Sequence, residues 1–390
     1  MKKKFAIFIF LLFTINISIL LYTPFATDSS LANGLTSAKV CWFYYAIFSL
    51  SINILISVII LRNTHFTLTP ADYLLVTYGA IIALTYNWAL NPEPEKLLFG
   101  AQLLALWFML RYIFINYSLL KPFFLILLLC TGLGEVVIGI EQLNNWSNSN
   151  HAAFKLTGTF FNPGPYSGFL AVLLPISFDL ILQSKPSNLI QDWRFHKALY
   201  YFAWICLLAT LIILPAGKSR SADLAALISC GWVYRLHRRQ YGREKEKKER
   251  ANQIIVFWFK KTALILILAG VGWTVYLMRK ESADGRLIRW KITSSILPKY
   301  YLKGTGLGGF PTAYAQAQAN YFSSADALIV EKRIVGYPSY AFNEYLQILI
   351  EHGIVGLLLF GSWIGVCLYY NLRELNVFVK LINMQKQTNG

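Results

Sequence analysis

Charged residues are scarce. Asp, Glu, Lys and Arg make up 14% of the 390 residues, against about 25% in an ordinary soluble domain. That shortfall excludes a soluble enzyme of two or three domains. Metal-ligand spacing is missing as well. The histidines, His65, His151, His196, His237 and His352, are scattered without H-E-x-x-H, and Cys41, Cys130, Cys206, Cys230 and Cys367 stand in apolar stretches without a C-x-x-C pair. Neither a disulfide framework nor a zinc site follows, and no metal or other cofactor is expected. Acidic residues are the scarcer charge class, 19 against 36 Lys+Arg, for a formal net charge of +17. A basic balance suggests nucleic acid, but much of this chain is apolar runs near the roughly 20 residues that span a bilayer. Nucleic-acid binding is therefore set aside.

What is present is a series of such runs. Met1-Lys2-Lys3-Lys4 followed by Phe5 to Tyr22 has a signal-like basic start, but no small-x-small cleavage site closes it, so it reads as a retained first helix. Further runs cover approximately 40–61, 71–90, 97–116, 122–141, 165–183, 199–216, 221–236, 262–278 and 354–372. The expected fold is an all-α polytopic membrane protein of about ten transmembrane helices with one large, partly helical periplasmic loop. The organisation expected is spans and short loops over 1–278, the large loop over 279–341, a periplasmic helix start with the last span over 342–372, and a cytoplasmic tail over 373–390. The positive-inside rule places both termini in the cytoplasm, with the charged stretch 235–261 casting the largest vote. Its physical reading is a stop signal against anionic headgroups.

The basic residues left on the outside are the informative ones. Nine lie between Arg279 and Arg333, where topology gives them no reason to be. A connection that long is either functional or disordered, and Trp290, Ile292, Ile296, Leu297, Tyr300, Tyr301, Tyr314 and Tyr321 favour order. Two familiar patterns are misleading. Gly304-Thr305-Gly306-Leu307-Gly308-Gly309 satisfies G-x-G-x-x-G without a surrounding βαβ unit, so it reads as a turn bringing backbone close to something else. Gly217-Lys218-Ser219 mimics the end of a P-loop, but position 212 is Ile where that loop needs Gly.

Four outward segments carry a more specific pattern. They are Gly158 to Tyr166 with its Asn162-Pro163; Lys218-Ser219-Arg220-Ser221 at a helical-hairpin tip; Gly285-Arg286-Leu287-Ile288-Arg289-Trp290; and Ala341-Phe342-Asn343-Glu344-Tyr345 with Glu351-His352-Gly353 beyond. In this order and at these distances they resemble the O-antigen ligase family of bacterial inner-membrane glycosyltransferases, over roughly residues 70–372. The resemblance implies a donor glycan on undecaprenyl diphosphate, an acceptor hydroxyl on a glycolipid, polysaccharide or protein, and transfer at the periplasmic face without metal or nucleotide. Ligase, polymerase and protein O-glycan ligase all occur in the family. Its members often carry one or two further spans where this chain has only Arg373 to Gly390.

The residues suit that chemistry. A diphosphate leaving group without a metal needs cations, and a guanidinium stays charged while binding phosphate oxygens through two parallel hydrogen bonds. Arg220 matches the family's Ser-Arg motif and Arg286 its first arginine in the large loop. Both are expected to be catalytic, against the bland readings of a snorkelling Arg220 and a solvated basic face for Arg286. Lys218, Arg289, Asn162, Tyr166 and Asn343 are expected to bind substrate. Arg286 and Arg289, three apart, share a helical face. The departure is Phe342, where ligases of the family commonly have a His regarded as the general base. Glu344 is the nearest substitute, and the alternative for it is helix N-terminal capping. A glycolipid transporter is the reading from a different class. It predicts paired interrupted helices in two related halves around a mid-membrane site, whereas the polar clusters here gather on one face.

Overall fold

The computed structural model describes residues 2–31, 33–61, 65–92, 94–183, 193–241, 280–323, 331, 335–336 and 338–388. Within them lie eleven α-helices: α1 (Lys2–Leu21), α2 (Gly34–Leu61), α3 (Pro70–Leu84), α4 (Glu95–Asn116), α5 (Leu120–Leu143), α6 (Pro163–Leu182), α7 (Trp193–Ile213), α8 (Arg220–Tyr241), α9 (Lys280–Tyr300), α10 (Phe310–Ser323) and α11 (Glu344–Thr388). Short 3-10 turns cover Thr23–Phe25 and Leu214–Gly217.

The all-helical, polytopic expectation holds. Among the described residues six stretches are long and apolar enough to cross a bilayer: Gly34–Ile60, Glu95–Asn116, Leu120–Leu143, Pro163–Leu182, Lys197–Gly217 and Glu344–Asn371. Two shorter apolar stretches are Ile7–Leu21, within the 20-residue α1, and Pro70–Leu84. The 15 residues of α3 reach about 22 Å at the helical rise, less than the roughly 30 Å of a hydrocarbon core. In α8 the run free of charge ends at Arg235 and begins after Asp223, again too short. The run expected over 262–278, and the charged residues 243–250, lie outside the described residues. This is a multi-pass membrane protein.

The chain divides into two compact units, one of Met1–Thr67 with Ala105–Arg243, the other of Leu68–Leu104 with Glu244–Gly390. In the first unit, α5, α6, α7 and α8 share a core containing Leu129, Val136, Leu170, Leu173, Ala203, Cys206 and Ala226. Small residues set the approach of α5 to α6. A Cβ on Gly132 would lie 1.9 Å from Leu173 Cδ1, and one on Gly139 would lie 2.2 Å from the Tyr166 hydroxyl. Close backbone approach of this kind is how membrane helices gain packing energy where apolar burial from water offers little. A second cluster, Ile9, Phe13, Ile17, Leu50 and Ile113, joins α1, α2 and α4.

The second unit packs α3 against α11 and gathers α9, α10 and the start of α11 on a core of Ile292, Phe310, Tyr314, Ala317 and Ile350. Residues 280–323 are thus ordered and helical, as the aromatic content of the large loop implied. Helix α11 breaks at Gly353 (φ 66°, ψ −174°) and continues to Thr388, beyond the span candidate Glu344–Asn371.

Candidate active site

In the first unit the Asn162 segment and the Lys218–Arg220 tip come together at one end of α6. Asn162 is the N-cap of α6, its side chain accepting from the Gly164 N–H at 3.0 Å. Ser167, one turn further on, lies where a Cβ on Gly217 would come within 2.2 Å of its Oγ. Lys218 closes the 3-10 turn in the left-handed region (φ 52°), and Arg220 is the first residue of α8. Lys218 is exposed and Arg220 half-buried. Tyr166 lies elsewhere. It is fully buried, and its hydroxyl donates to the Glu135 carbonyl at 3.1 Å. Its observed work is to fasten α6 to α5, on a side closed to substrate.

The loop leading into α6 is held from below by buried polar groups. Gln142 Oε1 accepts from the N–H groups of Thr157 and Gly158 at 2.9 and 2.8 Å, while its Nε2 donates to Gly158 O at 2.9 Å. The Glu135 carboxylate accepts from Thr159 through both its N–H and its hydroxyl. Lys39 is its charge neighbour and also donates to the carbonyls of Pro24 and Ala26. Both Glu135 and Gln142 are almost completely buried. Buried polar groups left unpaired cost about 1–3 kcal/mol each, so this fully bonded set fixes the loop before any ligand arrives.

In the second unit α9 and the residues preceding α11 meet. Arg286 and Arg289 lie over the same aromatic ring, that of Phe342, at 5.8 and 4.7 Å from its centroid. Arg289 Nε also donates to Val335 O at 3.0 Å. Burial, with some contribution from the adjacent Arg286 charge, holds the Arg289 guanidinium below the usual arginine value, although Tyr314 pulls the other way. Burial pushes Tyr314 up to about 12, and its buried hydroxyl makes no hydrogen bond. None of the described interactions of Arg286 or Arg289 is with a carboxylate.

Phe342 itself is unusual. Its backbone is left-handed, φ 54°, a conformation that costs a bulky residue about 1–3 kcal/mol and persists only where its surroundings impose it. They do so from both sides. Trp290 Nε1 donates to Ala341 O at 2.9 Å, and Ala341 N donates to Gln347 Oε1 at 2.8 Å. On the other side Asn343 caps α11, its Oδ1 accepting from Leu346 N at 3.2 Å. Glu344 opens the helix and is exposed.

The same network reaches the glycine-rich turn. Gln347 Nε2 donates to Glu351 Oε1 at 2.9 Å, and the Glu351 carboxylate also takes the backbone N–H groups of Gly308 and Phe310. The break at Gly353 frees backbone groups of α11, and the turn takes them up: Thr305 N donates to Ile350 O at 2.8 Å, Gly306 N to Glu351 O at 2.9 Å, and Ile354 N to Tyr301 O at 2.7 Å. On its other side the turn meets residues 85–96, with Asn91 Nδ2 donating to Leu307 O at 3.1 Å. The close approach expected of Gly304–Gly309 is therefore to the protein's own helix.

Residues 205–361 match the O-antigen ligase family. The chain carries an O-antigen ligase domain. No curated protein and no solved structure matches the chain. The domain begins within α7, includes Lys218 and Arg220, runs through Arg286, Arg289, Phe342, Asn343 and Glu344, and ends eight residues beyond the break in α11. Asn162 and Tyr166 precede it. The match ties residues 205–361 to a family of ligase- and polymerase-type enzymes of membrane glycan transfer.

Of the eight residues singled out from sequence, three are grouped in the first unit at the head of α6 and α8 (Asn162, Lys218 and Arg220). Four are grouped in the second at the junction of α9 and α11 (Arg286, Arg289, Asn343 and Glu344). Three contributors went unassigned. Glu135 was conspicuous only as an intramembrane carboxylate, Gln142 had no signal at all, and Phe342 stood out solely as the absence of a histidine. Among the described residues no cluster of three or more His, Cys, Asp or Glu side chains could hold a metal.

Proposed function

We propose that this protein transfers a glycan from undecaprenyl diphosphate to an acceptor hydroxyl at the periplasmic face of the bacterial inner membrane, acting as a ligase with both termini in the cytoplasm. The observation that carries the reading is the pair of guanidinium groups over Phe342 inside an O-antigen ligase domain. In the reaction the anomeric C–O bond to the diphosphate breaks and the leaving diphosphate keeps the electron pair, while the acceptor oxygen forms the new glycosidic bond and its hydroxyl proton passes to the departing diphosphate oxyanion. Arg286 and Arg289 bind the phosphate oxygens and neutralise the charge that develops there. Lys218 and Arg220 are assigned to phosphate binding on their own unit. Asn162 and Asn343 are occupied as helix caps and place the backbone beside the substrate.

Glu344 receives the acceptor hydroxyl. Glu344 is exposed at the first turn of α11, and its contribution here is chiefly orientation. Glu344→Gln is expected to lower the transfer rate about tenfold, whereas removal of a full general base costs about 10²–10⁴-fold. Single-turnover transfer from a lipid-linked donor in proteoliposomes measures the difference. A loss of a thousandfold would make Glu344 the base.

The ligase assignment is tested in a deletion strain by the length profile of its surface glycans. A ligase deletion is expected to accumulate long chains on the carrier lipid. Single repeat units transferred to the acceptor would show a polymerase instead, and an unchanged profile would remove both.

A further inference from the structure

In the second unit the position of the Phe342 side chain is required by neither packing nor helix geometry. Phe342 is half-exposed at 49%, so it is not there to fill the core. Its left-handed backbone is one that a glycine would adopt freely. Hydrogen bonds from Trp290, to Gln347 and to the Asn343 cap nevertheless hold the segment so that this ring projects beneath two arginines. Two guanidinium groups repel each other, and three residues apart on a solvated helix they would diverge. An aromatic face attracts each of them, and the ring of Phe342 attracts both.

We propose that Phe342 is a positioning residue. Its ring gathers Arg286 and Arg289 into one dicationic clamp, and that gathering makes the pair select a diphosphate over a monophosphate. A single guanidinium satisfies one phosphoryl group through its two parallel donors. Two linked phosphoryl groups need two guanidinium groups already side by side, and holding them so in advance removes an ordering cost at binding. This inference rests on the reading of Arg286 and Arg289 as phosphate ligands.

The test uses the full-length protein in detergent, titrated calorimetrically with inorganic pyrophosphate and, separately, inorganic phosphate at fixed salt. Phe342→Leu keeps an apolar side chain and removes the π face. It is expected to weaken pyrophosphate binding about tenfold, the scale of a partly desolvated cation–π contact, while phosphate binding changes by less than about twofold. Phe342→Trp, with a stronger π face, is expected to restore selectivity. Equal selectivity in wild type and Phe342→Leu overturns the proposal, as does an equal loss of both ligands, which a merely structural role would give. Should Phe342→Leu fail to fold, Phe342→Gly, which suits the left-handed backbone, takes its place under the same criteria. Arg286→Ala separates the two levels of inference. If it too leaves pyrophosphate binding intact, the phosphate-ligand reading fails. If it abolishes binding while Phe342→Leu does not, only the role of the ring fails.

Discussion

Alanine at Arg286 is expected to leave a folded, membrane-inserted protein whose glycan transfer falls by about 10²–10³-fold, the range seen when one preorganised donor to a developing negative charge is removed. The folding half of the expectation follows from exposure. Arg286 is open to solvent, and its described contact is the ring of Phe342 at 5.8 Å, which at an exposed site contributes about 0.5–1 kcal/mol. The catalytic half follows from the leaving group. A diphosphate departing near a membrane needs its charge met, and a guanidinium meets it through two parallel hydrogen bonds to phosphate oxygens. Lysine is not an adequate replacement, because an ammonium is a compact point charge without the planar fork that binds two oxygens at once. Arg286→Lys is therefore expected to recover less than a tenth of the lost rate. Initial rates from a lipid-linked donor, normalised to detergent-extracted protein of wild-type elution volume, decide the matter. Wild-type transfer by Arg286→Ala would end the proposed mechanism.

The sequence made some of this legible and hid the rest for physical reasons. Long apolar runs signal their own state, because some twenty residues with at most one or two charges have few places to go but a bilayer, and all six spans of sufficient length among the described residues coincide with such runs. The run at 71–90 is longer than its helix, because mean apolarity does not reveal where a helix stops. Helix α3 ends at Leu84, and the residues after it join the loop that meets the glycine-rich turn. The shared helical face of Arg286 and Arg289 was legible in their spacing, and both guanidinium groups lie over the ring of Phe342. The place of Tyr166 near Asn162 says nothing about which way its ring points, and the ring points at α5, into the space that Gly139 leaves open. Phe342 was hidden most thoroughly. Its effect depends on a left-handed backbone angle and on partners at Trp290 and Gln347, and neither leaves a mark on the residue itself.

Gly304→Ala is expected to have the largest effect on the fold of the second unit. Gly304 has φ 73°, and an added Cβ would lie 2.2 Å from Glu351 O, 2.4 Å from its carbonyl carbon and 2.6 Å from His352 N. These are backbone atoms at a helix break and cannot swing aside as a side-chain terminus could. Relief requires the turn to lift away from α11. Lifting it surrenders the hydrogen bonds from Thr305 and Gly306 to the carbonyls of Ile350 and Glu351. It also strips Glu351 of its two backbone donors. Each buried group left unpaired costs about 1–3 kcal/mol, so two or three of them consume much of a typical 5–15 kcal/mol stability. The damage does not stop at the turn, because Glu351 holds Gln347 and Gln347 holds Ala341 beside Phe342. Gly361→Ala is the matching control, since a Cβ there meets nothing within 4 Å. In detergent, Gly304→Ala is expected to aggregate on size exclusion or to melt at least about 10 °C below Gly361→Ala. Any folded fraction should have lost pyrophosphate selectivity along with stability. Equal melting of the two variants would mean that the turn is not seated on the broken helix, and the coupling from turn to arginine pair would fall with it.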